Sequence, residues 1–171
     1  MTAQTLTTDE EKRYAELQFM ALEMARSGET RELEKMVMAG LPVNLQDNKG
    51  NSLLMLAAYH DQAETAAMLL RHGAEVDHRN DHGQTPLGGV AFKGNMALLT
   101  LLLTAGANIN ADNGGGRTPL MFAAMFGHRQ VVEYLLQQGA DPDAQTLLGV
   151  SARTLAQLTG AVRSLGSFFT K

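Results

Sequence analysis

Cysteine is absent from this chain, so disulfides, thiol nucleophiles and thiolate metal sites are all excluded. Long hydrophobic runs are missing too, and no apolar stretch approaches the length needed to span a membrane. The N-terminus, MTAQTLTTDEEKRYAELQ, has no basic segment followed by an apolar one. No secretory signal is expected, and a cytoplasmic location follows from that lack alone. An excess of basic charge is also lacking: the formal net charge is −4 and the pI is about 5.7. Acids gather at the front, where residues 1–34 hold eight against four basic residues, while from Ala144 onward Arg153, Arg163 and Lys171 face no acid at all. Such a gradient is a modest steering field and a poor footprint for nucleic acid. What remains is ordinary. A chain of 171 residues, 44% hydrophobic and 19% charged, can bury one sizeable core.

The pattern inside that composition is a repeat. Gly50, Gly83, Gly116 and Gly149 are spaced by 33, and so are Gly40, Gly73, Gly106 and Gly139. Between the two series the same grammar recurs. A Ser or Thr (Ser52, Thr85, Thr118, Ser151) precedes a short apolar run, a break follows (Asp61, Gly94, Gly127, Gly160), and a second apolar run leads to the next glycine. Each unit reads as helix, turn, helix and return loop. The hydroxyl residue caps the first helix, and Pro86 and Pro119 fall at its first position, where a missing N–H costs nothing. Both helices are too short to stand alone. In QVVEYLLQQG the apolar residues Val131, Val132, Leu135 and Leu136 cover one broad face, and that face has to stack on neighbouring units. Ala57, Ala58, Ala91, Ala123 and Ala124 let adjacent first helices approach closely.

On these residues the chain resembles the ankyrin-repeat family. TPLMFAAMFGHRQVVEYLLQQGADPDA is similar to that family's repeat; the likeness is strongest over residues 116–146, good over 50–115 and weaker at both ends. The resemblance implies an all-α solenoid of stacked helix-turn-helix units with hairpin-like loops. Residues 1–13 are an N-terminal extension and 14–171 the repeat domain, with an N-cap at 14–48, repeats at 49–81, 82–114 and 115–147, and a C-cap at 148–171. Thr8-Asp9-Glu10-Glu11 offers a capping box that can lengthen the first helix. Leu155, Leu158, Val162 and Leu165 are expected to cover the last repeat.

Departures from the family pattern are equally specific. The histidine of its T-P-L-H motif, which bonds between neighbouring repeats, is Met55, Gly88 and Met121 here, so that polar lattice is expected to be missing. Gly88 and Gly89 occupy helix interior, where glycine costs about 1 kcal/mol relative to alanine. They read as a weak spot, with close approach of another backbone as the functional alternative. Asp61 stands where a left-handed glycine is usual, a conformation Asp tolerates better than most residues.

Chemical sites find little support. Gly114-Gly115-Gly116-Arg117-Thr118 lacks the spacing and lysine of a phosphate loop. His72, Asp77, His78, Asp81 and His82 are able to ligate a metal, yet the repeat spreads them along a return loop. No serine or carboxylate pair has an activating partner, so no enzyme, cofactor or metal is expected. Arg79, Lys93 and Arg117 near Tyr59, Phe92 and Phe126 mimic a basic stacking surface, but Asp47, Asp81 and Asp112 fall in neighbouring loop slots and argue against nucleic acid.

Protein recognition is what the resemblance implies, through a concave face of hairpin tips and first helices. The family's variable contact slots fall on Gln46, Asn48, Lys49, Asn51, Tyr59 and His60, then on Arg79, Asp81, His82, Gln84, Phe92 and Lys93. In the fourth unit they fall on Asp112, Gly114, Gly115, Arg117, Met125 and Phe126, with Leu147 and Leu148 continuing the tips. Apolar anchors with a polar rim suit a partner-binding patch. The alternative is that Tyr59, Phe92 and Met125 pack between adjacent helices. The expected protein is a monomer when free, acting as an adaptor, inhibitor or protective partner of another protein. A structural or self-assembling role, through Phe168 and Phe169, is the other reading.

Overall fold

Hydroxyl side chains set where the first helix of each unit begins. Ser52, Thr85 and Thr118 have extended backbones and accept bonds from the amides of Met55, Gly88 and Met121, with Pro86 and Pro119 opening two of the helices. The computed structural model describes residues 7–158, and among them nine helices follow: α1 (Thr8–Ser27), α2 (Thr30–Met38), α3 (Leu53–Tyr59), α4 (Ala63–Arg71), α5 (Pro86–Lys93), α6 (Met96–Thr104), α7 (Pro119–Met125), α8 (Arg129–Gln137) and α9 (Ala152–Leu158). The described residues form no strand beyond isolated bridges at Gln46–Ser52 and Gln145–Ser151, where hairpin-like loops close.

Odd-numbered helices stack in one row and even-numbered helices α2 to α8 in a second, each helix touching its counterparts in the adjacent units and its own partner across the rows. The result is an all-α solenoid of stacked helix-turn-helix units joined by hairpin-like loops. Ala58, Ala91 and Ala124, spaced by 33, are buried at the centre of the odd row, which is what lets those backbones approach. Leu69, Leu102 and Leu135, in the same phase, fill the space between rows. Turns between the helices need positive φ. Gly94 and Gly127 adopt it freely, and Asp61 does so at φ 63, where Lys93 and Asn95 bond its carboxylate.

Two features at the ends differ from expectation in detail. The capping box uses Thr7, not Thr8: the Thr7 amide donates to the Glu10 carboxylate at 2.8 Å and the Thr7 hydroxyl accepts from the Glu10 amide. α1 is 20 residues long and runs unbroken across residues 13 and 14. At the other end Ala152 and Ala156 are buried in the core and Leu155 packs partly against it. Gly160, Val162, Leu165, Phe168 and Phe169 lie outside the described residues.

Candidate partner-binding face

The last turns of α3, α5 and α7 deliver Tyr59, Phe92 and Met125 to one side of the solenoid, followed by Phe126. Their relative exposures are 45%, 37%, 39% and 48%, so none is a core residue enclosed between helices. The Phe92 and Phe126 rings meet edge to face with centroids 4.3 Å apart, and Phe92 also meets Phe122 at 6.5 Å. Cations lie over two of the rings: Lys93 is 5.3 Å from the Tyr59 centroid and Arg117 5.9 Å from that of Phe122. Lys93 is fixed there by bonds to the Tyr59 carbonyl at 2.8 Å and to Asp61 at 2.7 Å. Those bonds from Lys93, with one from Asn95, hold the Asp61 carboxyl below the ordinary value.

Carbonyls at the ends of α1, α3 and α5 are bonded by side chains of the following unit. Gln62 Nε2 donates to Arg26 O at 3.0 Å, Lys93 to Tyr59 O, and His128 Nε2 bonds Phe92 O at 2.7 Å. The helix ends that carry Tyr59 and Phe92 are thus tied to their neighbours.

Of the residues expected at the face, Tyr59, His60, His82 and Phe92 share one groove of about 530 Å³. Met55, Gly88, Gly89 and Phe122 also line it. Arg79, Asp81 and Arg117 are exposed outside the groove, and Asp112 is half-buried where it accepts the Gly116 amide at 2.8 Å. Met125 and Phe126 lie beyond it along the same row, and Lys93 borders it from above Tyr59.

The two glycines play different parts, and at Gly88 the weak-spot reading is corrected. A Cβ on Gly88 would sit 1.9 Å from Asn113 Oδ1, whereas one on Gly89 meets only the Tyr59 ring at 3.4 Å. Asn113 is fully buried, accepts from the Thr85 amide at 2.8 Å and hydroxyl at 2.9 Å, and donates to the Ala111 and Arg117 carbonyls. Its counterparts at spacing 33 point elsewhere. Asp47, Asn80 and Thr146 each accept two amides of their own turns. Asn113 therefore supplies between hairpins a polar tie of the kind expected to be missing with the motif histidine. What approaches Gly88 is a side chain, not another backbone.

Asp47 sits at the groove's edge with every carboxylate site in use. Oδ1 accepts the Lys49 and Asn51 amides, and Oδ2 accepts Asn51 Nδ2 and Arg26 Nη2, each within 3.0 Å. Burial pushes this carboxyl up, but the Asn51 side chain, the two amides and the Arg26 charge together hold it below its ordinary value. Arg26 pairs with Glu23 as well. The histidines of the return loop are engaged separately, His72 with Glu34 and His78 with Glu75. No cluster of three His, Asp or Glu side chains suited to a metal occurs among the described residues. Nor, among them, is any helix long and apolar enough to cross a membrane.

Sequence reasoning noted Met55 only for the missing motif histidine and did not single out Phe122, so neither was expected to line a groove. The available sign was the Gly88-Gly89 pair. Comparison with known proteins gives the same architecture: the model for ankyrin repeats in three copies matches residues 21–113 and 79–146. A protein of Pseudomonas aeruginosa described as an ankyrin repeat protein is 48% identical over 46 residues, 27% of this chain and 27% of that protein. The matched part is thus a little over a quarter of the relative's length.

Proposed function

Because this chain belongs to the ankyrin-repeat family, whose members are generally non-catalytic protein-protein interaction modules, we propose that it binds one other protein through the concave face and acts as its adaptor, inhibitor or protective partner. The observation that carries the proposal is the row Tyr59, Phe92, Met125 and Phe126, each more than a third exposed on a rigid stack of helices. Large side chains held by a scaffold lose little freedom on binding, which favours them as anchors. Tip residues Arg79, Asp81, His82, Asp112 and Arg117 form the polar rim around them. Capture of the partner by the intact protein, followed by hydrogen exchange on the purified complex, tests this. Protection over α3, α5, α7 and the tips is expected; protection confined to α2, α4, α6 and α8 overturns it.

Leu147 and Leu148, almost fully exposed side by side at a hairpin tip, favour self-assembly as a second reading. The free protein is expected to be monomeric by light scattering. A dimer abolished by Leu147→Asp with Leu148→Asp would favour the second reading.

A further inference from the structure

The groove over Gly89 has a composition unlike the rest of the molecule. Its floor is apolar, formed by Met55, Tyr59, Phe92 and Phe122 around a helix position with no side chain. Asn113 fills the space beside Gly88 and leaves that beside Gly89 open. At the mouth stand Lys49, the His60 and His82 rings, and Arg26 paired with Asp47 and Glu23, in a chain whose net charge is −4. Asp47 has no acceptor capacity left, as its oxygens already take four hydrogen bonds. Lys49, by contrast, is exposed and has no carboxylate within ion-pair distance among the described residues.

We infer that this groove takes an acidic peptide segment of the partner, one apolar side chain entering the space over Gly89 while an adjacent carboxylate meets Lys49. This rests on the concave-face reading and gives the partner's chemistry. The apolar side chain exchanges water for the Tyr59, Met55 and Phe92 surfaces. The carboxylate finds in Lys49 a cation that the acids among the described residues leave unpaired, and a basic segment would meet that charge as a like one. Groove volumes of this order accommodate a bulky side chain with its flanking backbone.

Gly89 makes the inference testable without unfolding the protein. A leucine there replaces a helix-interior glycine and projects into the groove. Random twelve-residue peptides displayed against the intact protein should enrich sequences with an apolar residue next to Asp or Glu. The best of them, synthesised and titrated, should bind Gly89→Leu at least tenfold more weakly while the variant's urea midpoint stays level or rises. Lys49→Glu, on an exposed turn, should weaken the same peptide at least fivefold. Enrichment of basic sequences, no enrichment at all, or unchanged affinity for both variants would overturn the inference. If Phe92→Ala with Phe126→Ala weakens the natural partner but Gly89→Leu does not, the groove assignment fails and the concave-face reading stands. If neither weakens it, the concave-face reading fails.

Discussion

Adjacent glycines in α5 are expected to respond in opposite directions to the same substitution. Gly89→Ala places a methyl at ordinary contact distance from Tyr59 and removes a flexible helix residue, so stability rises by about 0.5–1 kcal/mol. Gly88→Ala drives Asn113 off Thr85 and strands a buried amide, so stability falls by about 1–3 kcal/mol. Urea denaturation of Gly89→Ala, Gly88→Ala, Asn113→Ala and the double variant Gly88→Ala with Asn113→Ala checks this; the double variant should lose less than the sum of its two singles. The glycines were legible as an anomaly, but their meaning was not, because the residue that fills Gly88's space is 25 positions away and its counterparts Asp47, Asn80 and Thr146 accept amides of their own turns, so their positions gave no hint of it. Charge at single positions also sets the response to acid. Hydrogen bonds from Lys93 and Asn95 lower the folded Asp61 carboxyl below its ordinary 3.8, so the stabilisation is complete above that value and is lost as pH falls through the folded one. Thermal melts should drop as pH falls below about 4, and Asp61→Asn, which keeps a residue tolerant of positive φ, should flatten that decline.

Helices show where the repeat grammar is informative and where it stops. Boundaries of α3, α5 and α7 follow from one hydroxyl residue and the turn after it, since a cap and a left-handed position are local chemistry. α1 outlasts every other described helix because residues 8–17 have strong helix formers and a cap at Thr7, not because anything packs on them: all ten are exposed. Terminal elements should therefore differ in importance. Ending the chain at Gly149 removes α9 and exposes the α7 surface it covers, and the product is expected to aggregate or unfold without a sharp transition. Removing residues 1–7 takes away the Thr7 cap, worth about 1 kcal/mol locally, and should fray only the overhang. Circular dichroism during urea titration separates the outcomes: a slightly smaller signal with an unchanged midpoint for the shorter N-terminus, and a broadened transition for the shorter C-terminus.

Across the whole molecule, the stacking residues and the exposed aromatic row occupy different sides of the same helices. Ala58, Ala91 and Ala124 hold the inner row together, while Tyr59, Phe92 and Met125, one residue later in each unit, project from it. Replacing both Phe92 and Phe126 by alanine is expected to weaken partner binding by at least about 2 kcal/mol. Stability should fall by less than the 3–5 kcal/mol typical of each fully buried phenylalanine, because both rings are already partly in water. Titration calorimetry and denaturation on the same samples distinguish lost anchors from lost fold. The family and an exposed aromatic row were readable from the sequence, but the groove was not, because it arises where residues of four successive units leave a space unfilled. The bond between Asn113 and Thr85 also bears on how such a chain can grow. A block copied from residue 82 to residue 114 carries Gly88 together with the asparagine that occupies its space, so a tandem duplicate would inherit the match. A recombination joint anywhere between 88 and 113 would divide them, pairing the asparagine with a foreign helix or leaving the glycine beside an empty volume. A duplication that preserves the match is therefore one whose joints fall outside that interval.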